Sequence, residues 1–320
     1  MINENLFTFN FRMKKIIFKI IFLIVPVLFV ITLVENQLIK VKNSMSYKKI
    51  NLTKKSNDIK TLILGNSQSY YGINPACFST NTYNLANSSQ SIYYDKEILF
   101  KEFDRLINLK NVIIPISYFS LYYDLEEGKE AWRINYYKYF WDIKSLNYNY
   151  LDVKNYSLLA LYTPVKSIEY LQKGVSKIDL SEGTDKNGFL KRDSTGLRDR
   201  ISNDLGLIRI KYHKSIMNKN NLYSNLKLID EMAARLIKKK INIYFVSLPL
   251  YKTYSKYLDN KIVNKNDSII KALCRKYNAK YYNYSLDKRF VKEDFYDNDH
   301  LNFIGANKFS KILDSIVQKK

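Results

Sequence analysis

Residues 62–69 read L-I-L-G-N-S-Q-S, an apolar run that stops at Gly65 and passes within two residues to Ser67. The run from 59 to 64 predicts a short buried strand. In an open α/β sheet, ligands bind beyond the carboxyl ends of the strands. A serine that opens the turn after such a strand is therefore placed to act as a nucleophile. A serine following Gly-Asn is also an ordinary turn or helix N-cap residue.

Outward from this point the chain alternates strand and helix patterns. Residues 82–86 (T-Y-N-L-A) and 112–116 (V-I-I-P-I) predict strands, and 93–109 carries apolar residues near helical spacing. Farther on, an amphipathic helix is predicted over 222–240, with a basic last turn that suits the negative end of the macrodipole. Residues 241–249 (I-N-I-Y-F-V-S-L-P) form a near-continuous apolar run, as expected of a strand buried on both faces. Helices around 264–277 and 303–317 flank a strand at 280–284. This alternation predicts a three-layer α/β/α domain with a mostly parallel sheet. The stretch 120–220 breaks the rhythm. It is rich in Tyr, holds both Trp132 and Trp141, and ends in the polar, Gly-punctuated passage 181–196. It is expected as an insertion after the third strand, helical around 150–173, serving either as a packing cap or as a substrate lid.

The second informative stretch is 295–309, F-Y-D-N-D-H-L-N-F-I-G-A-N-K-F. A serine nucleophile needs a neutral imidazole as base and a carboxylate to fix its tautomer. Asp297, three residues before His300, can reach the ring from the same loop. Asp299 is the competing carboxylate. Only one other histidine, His213, occurs in the chain. Cys77 and Cys274 are too few for a disulfide framework or a cysteine-based metal site.

Composition narrows the class. Of 320 residues 46% are hydrophobic and 15% aromatic, which excludes a disordered chain. The formal charge of +22 raises the question of nucleic acid. Lys, however, outnumbers Arg about fourfold, with Ile, Asn and Tyr inflated alongside, which fits AT-rich codon usage. Nucleic-acid readers lean on Arg for bidentate contacts, and no such partner is expected. Residues 16–34 are apolar except for Lys19 and Thr32. At about 30 Å, a hydrocarbon core is nearly spanned by a helix of that length. The run exceeds a typical signal-peptide core and no A-x-A-like site follows, so an uncleaved signal anchor is expected. Residues 1–15 then form a short tail and 35–57 a polar tether to a domain over 58–320. Lysines on both sides leave the orientation undecided by charge. A long carboxyl-terminal globule fits a domain on the extracytoplasmic side.

The early Ser and late Asp-x-x-His resemble the SGNH (GDSL-like) hydrolase superfamily over most of residues 58–318, apart from the insertion. Gly65-Asn66-Ser67 is similar to its first block, with Asn where Asp is common. Asp297 to His300 is similar to its last block, as are the following Leu301-Asn302 and Gly305-Ala306. The second block is similar to N-L-A-N-S-S-Q-S at 84–91, with Ser89 at the position of the oxyanion-hole Gly and Asn87 as a nearby donor. The third block, Gly-x-Asn-Asp, has no equivalent in I-S-Y-F-S-L at 116–121, where Ser117 or Ser120 is the nearest substitute. The resemblance implies a flavodoxin-like fold and an acyl-Ser67 intermediate, with no metal or organic cofactor. It implies His300 as base, Asp297 as its orienting carboxylate, and an oxyanion hole from Ser67, Ser89 and Asn87. With the anchor, it implies an O-acyl, chiefly acetyl, transferase or esterase acting on a cell-envelope polysaccharide. The acyl donor would come from a membrane acyltransferase partner. The alternative is a catalytically degraded glycan-binding or scaffold protein.

Overall fold

The computed structural model describes residues 2–193 and 200–318, with side chains from Met13 onward. Met1, the Arg12 side chain, and residues 194–196 of the polar passage fall outside the described residues. Contacts divide the chain into two compact units, Met1–Lys42 with Asn149–Leu180, and Asn43–Tyr148 with Ser181–Lys320.

In the second unit five strands form an all-parallel sheet: β1 (Thr61–Ile63), β2 (Thr82–Asn84), β3 (Asn111–Pro115), β4 (Asn242–Ser247) and β5 (Lys280–Asn283). Their order is β2-β1-β3-β4-β5, the flavodoxin-like arrangement. The register sets Thr61 against Thr82 on one side and Asn111 on the other, and Tyr244 against Lys280. The order reverses between β1 and β3, so a crevice opens beyond Ile63, where doubly wound sheets place their ligands.

Both faces of the sheet are covered. Alternate side chains Ile63, Ile113, Tyr244 and Val246 pack with Ile73, Leu301, Phe309 and Leu313. The last two lie on the carboxyl-terminal helix, Phe303–Gln318. On the opposite face the helix Asn221–Lys238 buries Ile229, Met232, Ala233 and Leu236 and meets the helix Ile92–Glu102. The helix expected over 93–109 thus ends earlier, passing into a 3-10 turn at Phe103–Arg105. The other strands and helices expected in this unit are present with ends shifted by a few residues.

The first unit holds helix Ile2–Leu38, which takes in nearly all of the expected 1–15 tail. Its portion Met13–Leu38 is long and apolar enough to cross a membrane, and none of that apolar window is buried. Glu35, near its end, accepts hydrogen bonds from the Ser157 hydroxyl and the Leu158 and Leu159 amides. The carboxylate therefore caps the short helix Leu158–Leu161 and complements its dipole. The expected 120–220 insertion is consequently not one piece, since 149–180 groups with the N-terminal helix. Around 150–173 the expected helix is broken into a 3-10 turn and two helices, Leu158–Leu161 and Pro164–Lys173.

The expected 35–57 tether also differs. Residues Ser44–Lys55 form a helix whose N-cap, Asn43, accepts from the Ser46 amide in a capping box. It buries Met45, Lys48 and Leu52. Lys48 is 2% exposed, donates to the Ala86 carbonyl, and holds its ammonium 3.7 Å from the Tyr70 ring centroid. Burial lowers the Lys48 pKa, against the opposing charge of Asp185. A core role for this helix predicts that Leu52→Ala costs about 2–5 kcal/mol, read by urea unfolding of the full chain in detergent. A change within about 0.5 kcal/mol, usual for surface sites, would restore the tether.

Candidate active site

The turn after β1 is built around Gly65, whose φ of +113° disfavours any side chain. A Cβ there would also lie 2.9 Å from the Ser69 hydroxyl and 3.1 Å from Pro115. Both backbone groups of Gly65 are held. Its N–H donates to Asp95 Oδ1 at 2.7 Å, and its carbonyl accepts from the Asn87 amide at 3.1 Å. Asn66 is then the N-cap of the helix Ser67–Gly72, accepting from the Gln68 amide. The cap is Asn66, not Ser67. This leaves the Ser67 hydroxyl free to meet His300 Nε2 at 2.8 Å.

The His300 loop is fixed from both sides. Asn302 accepts from the Ile304 and Gly305 amides, capping the last helix, and donates to the carbonyls of Glu293 and Phe295. Asp297 Oδ1 accepts from the amides of Asp299 and His300, so it does form an Asx-type turn. The same carboxylate also lies 2.9 and 3.0 Å from His300 Nδ1. A carboxylate only accepts, so Nδ1 carries the proton and Nε2 accepts from the serine. The sequence brings Ser67, His300 and Asp297 together from 233 residues apart in the order a hydroxyl–imidazole–carboxylate relay needs.

Asp299 lies farther from Nδ1, at 3.6 Å. It is buried and engaged by Arg209 through Nε at 2.8 Å and Nη2 at 3.3 Å. Burial alone would raise its pKa, but the charges of His300 and Arg209 hold it below the ordinary carboxylate value. His300 balances the same opposed forces. Burial disfavours its imidazolium, yet Asp297 and Asp299 outweigh burial and raise its pKa above the ordinary histidine value. His213, the other histidine, is buried with Nδ1 2.6 Å from the Tyr254 hydroxyl and its ring stacked on Phe119. Burial pushes its pKa down to about 3, so it is neutral.

The expected oxyanion donors are placed unequally. Ser67 and Ser89 line the cavity. Ser89 adopts φ +57°, the left-handed conformation a glycine would take without strain. Asn87 is corrected. Its amide N–H goes to the Gly65 carbonyl, its side-chain NH₂ faces Met45 Sδ, and it does not line the cavity. Ser117 and Ser120 are also turned inward. The Ser117 hydroxyl donates to Gln68 and accepts from Asn66, while the Ser120 hydroxyl donates to the Ser117 carbonyl.

The cavity has a volume of about 810 Å³ and its walls come largely from the parts of 120–220 that belong to this unit. Tyr123, Arg133, Arg192, Arg200, Arg209 and Tyr212 all line it. Tyr71 stands 5.0 Å from the His300 ring, centroid to centroid. Arg209, Tyr71 and Asp95 carry no local signature, because each acts through a contact distant in sequence. Asp297, Asp299 and His300 place one potential metal-ligand atom each within 4.8 Å of one another. The Nδ1–Asp297 bond and the Arg209 cation already occupy that cluster, which suits proton transfer better than a divalent cation. Cys77 and Cys274 are both free thiols.

No protein-family model and no curated protein matches the sequence. Solved structures do. A GDSL-like lipase from Bacteroides thetaiotaomicron aligns with a TM-score of 0.39 and 13% identity, covering 87% of this chain and 99% of its own. A provisionally named platelet activating factor from Streptococcus pneumonia gives 0.41 and 15%, covering 90% and 98%. A provisionally named acylhydrolase from Bacteroides fragilis gives 0.39 and 12%, covering 84% and 94%. These are likenesses of fold at low identity, and the chemistry rests on the side chains described above.

A raised His300 pKa fixes the sign of a pH dependence. Acting as base to Ser67, His300 would have to be neutral, so the reactivity of Ser67 is expected to fall as pH drops through that pKa, with a midpoint above about 6.5. Labelling rates with a fluorophosphonate across pH 5–9 measure this. Asp297→Asn removes the larger of the two raising charges and shifts the midpoint down. A wild-type midpoint below about 6.5 contradicts the electrostatics.

Proposed function

We propose that this chain is an SGNH-type serine esterase or O-acyltransferase, anchored by its N-terminal helix and acting on acylated cell-envelope polysaccharide. The observation that carries it is the Ser67–His300–Asp297 hydrogen-bond chain at the carboxyl end of β1. Ser67 Oγ attacks the carbonyl carbon of an acyl ester and passes its proton to His300 Nε2. The charge on the carbonyl oxygen is met by the backbone N–H groups of Ser67 and Ser89. His300 then returns the proton to the leaving sugar oxygen as the ester C–O bond breaks, leaving acyl-Ser67. In the second half, water or a sugar hydroxyl gives its proton to His300 and attacks the acyl carbon. The Ser67–acyl bond breaks and Ser67 recovers its proton. Asp297 keeps Nδ1 protonated throughout and stabilises the imidazolium.

Hydrolysis and transfer share the first half, so the acceptor that reaches the cavity decides between them. Its aromatic walls, Tyr71, Tyr123, Tyr212 and Tyr296, suit stacking on sugar rings. The membrane-spanning length of Met13–Leu38 supports an envelope location with the catalytic unit outside the cytoplasm, where a membrane acyltransferase partner can supply the acyl group.

One observation favours the second reading, a glycan-binding scaffold. The third strand contributes no side-chain donor to the oxyanion site, since Ser117 and Ser120 bond inward. Loss of one such donor costs about 10²–10³ in rate, which slows an intact triad without abolishing its catalysis. The test is a chromogenic acetyl ester with and without oligosaccharide acceptors. Ser67→Ala and His300→Ala each reduce turnover by about 10⁴-fold or more and abolish fluorophosphonate labelling. Acceptor-stimulated turnover identifies a transferase, and acetate release alone an esterase. Folded wild-type protein that neither labels nor turns over is a scaffold.

A further inference from the structure

The basic residues are distributed unevenly between the chain and its cavity. The sequence holds forty-two lysines and ten arginines. Among the described residues four arginines line the cavity around Ser67, and no lysine does. In a chain whose composition runs so strongly to Lys, this points to sites where a planar fork of donors is needed and an ammonium will not serve.

Two of the four are committed inside the protein. Arg209 holds Asp299, and Arg133 Nε donates to Glu130 at 2.7 Å. Arg192 and Arg200 are different. Arg192 Nη2 donates to Glu182 at 2.9 Å and to the Tyr71 hydroxyl at 3.3 Å, but its Nε is buried with no hydrogen-bond partner among the described residues. A buried unpaired donor is costly, and on a cavity wall a ligand oxygen removes that cost. Arg200 is exposed and forms no ion pair among the described residues. Both guanidinium groups share one aromatic platform: Arg192 lies 5.5 Å and Arg200 4.6 Å from the Tyr296 ring centroid. Arg192 also sits 4.6 Å from the Tyr71 ring, which itself stands against His300. Arg192 is thus one aromatic ring, Tyr71, away from the His300 imidazole, and Arg200 lies beside it on the Tyr296 ring. Glu182 leaves the pair with a net positive charge.

We propose that the acyl ester turned over at Ser67 is carried by an anionic saccharide, whose carboxylate or phosphate is held by Arg192 and Arg200. This rests on the catalytic assignment of Ser67 and adds the substrate class. Charge-assisted bonds of this kind favour an anionic over a neutral ester by about 10- to 100-fold in kcat/KM, expressed mainly in KM.

The test uses the full chain in detergent with three acetyl esters: acetylated methyl glucoside, acetylated methyl glucuronide and acetylated glucose 6-phosphate. The glucuronide and phosphate arms separate the two anion types. Preference for either anionic ester, collapsing toward unity in Arg200→Ala and Arg192→Gln and weakening with salt, supports the proposal. Equal turnover of all three esters, or a preference unchanged in both variants, overturns it. Calorimetry on Ser67→Ala with methyl glucuronide, glucose 6-phosphate and methyl glucoside decides independently of catalysis. If no ester is turned over, binding of an anionic sugar but not the neutral one sinks the esterase assignment and keeps the anion site. Failure of both anionic sugars to bind sinks the anion site.

Discussion

The position of the Ser67 hydroxyl depends on how Gly65 is held. Its N–H is fixed by the Asp95 carboxyl and its carbonyl by the Asn87 amide, so the turn is clamped between a buried acid and the loop after β2. Asp95 is fully buried, and burial raises its pKa to about 7 against the pull of the Gln90 and Gly65 hydrogen bonds. Keeping such a group inside is costly unless its acceptor oxygen is used. Oδ1 is used twice, by Gly65 and by Gln90 Nε2 at 2.6 Å. Gln90 is held in turn by the Tyr137 hydroxyl. This buried network ties the Ser67 turn, the loop after β2 and the aromatic insertion into one support.

The opposite side of the site is an electrostatic arrangement. Two carboxylates flank His300, yet only Asp297 is within bonding distance of Nδ1, because Arg209 holds Asp299 back. Arg209 thereby neutralises a charge that would otherwise compete for the imidazole, while Asp299 still raises the His300 pKa from a distance. His213 stays neutral and packs as an aromatic residue. The basicity of His300 is set by Asp297 and Asp299 against the cost of burying its charge.

Much of this was legible in the sequence, for physical reasons. Strands buried on both faces read as continuous apolar runs, so β1, β3 and β4 stood out. The Asp297–His300 spacing also carries its own geometry, since both lie in one short loop. What could not be read depends on contacts between distant residues. The helix Ser44–Lys55 looks like a polar tether because its central buried residue is Lys48, whose place is explained only by the Ala86 carbonyl and the Tyr70 ring. Asn87 resembled an oxyanion donor by position, but its amide is spent on Gly65. The segment 149–180 reads with the insertion by order along the chain, yet its helix cap is Glu35, more than a hundred residues earlier.

The most direct test of the central claim is to trap the covalent intermediate. After rapid acid quench of the full chain with an acetyl ester, mass spectrometry of its peptides should find an acetyl adduct on Ser67. The adduct should be absent from Ser67→Ala and should fail to form in His300→Ala, which lacks the base for the first step. Turnover with no adduct on Ser67, or with the acetyl group on another side chain, would contradict the account.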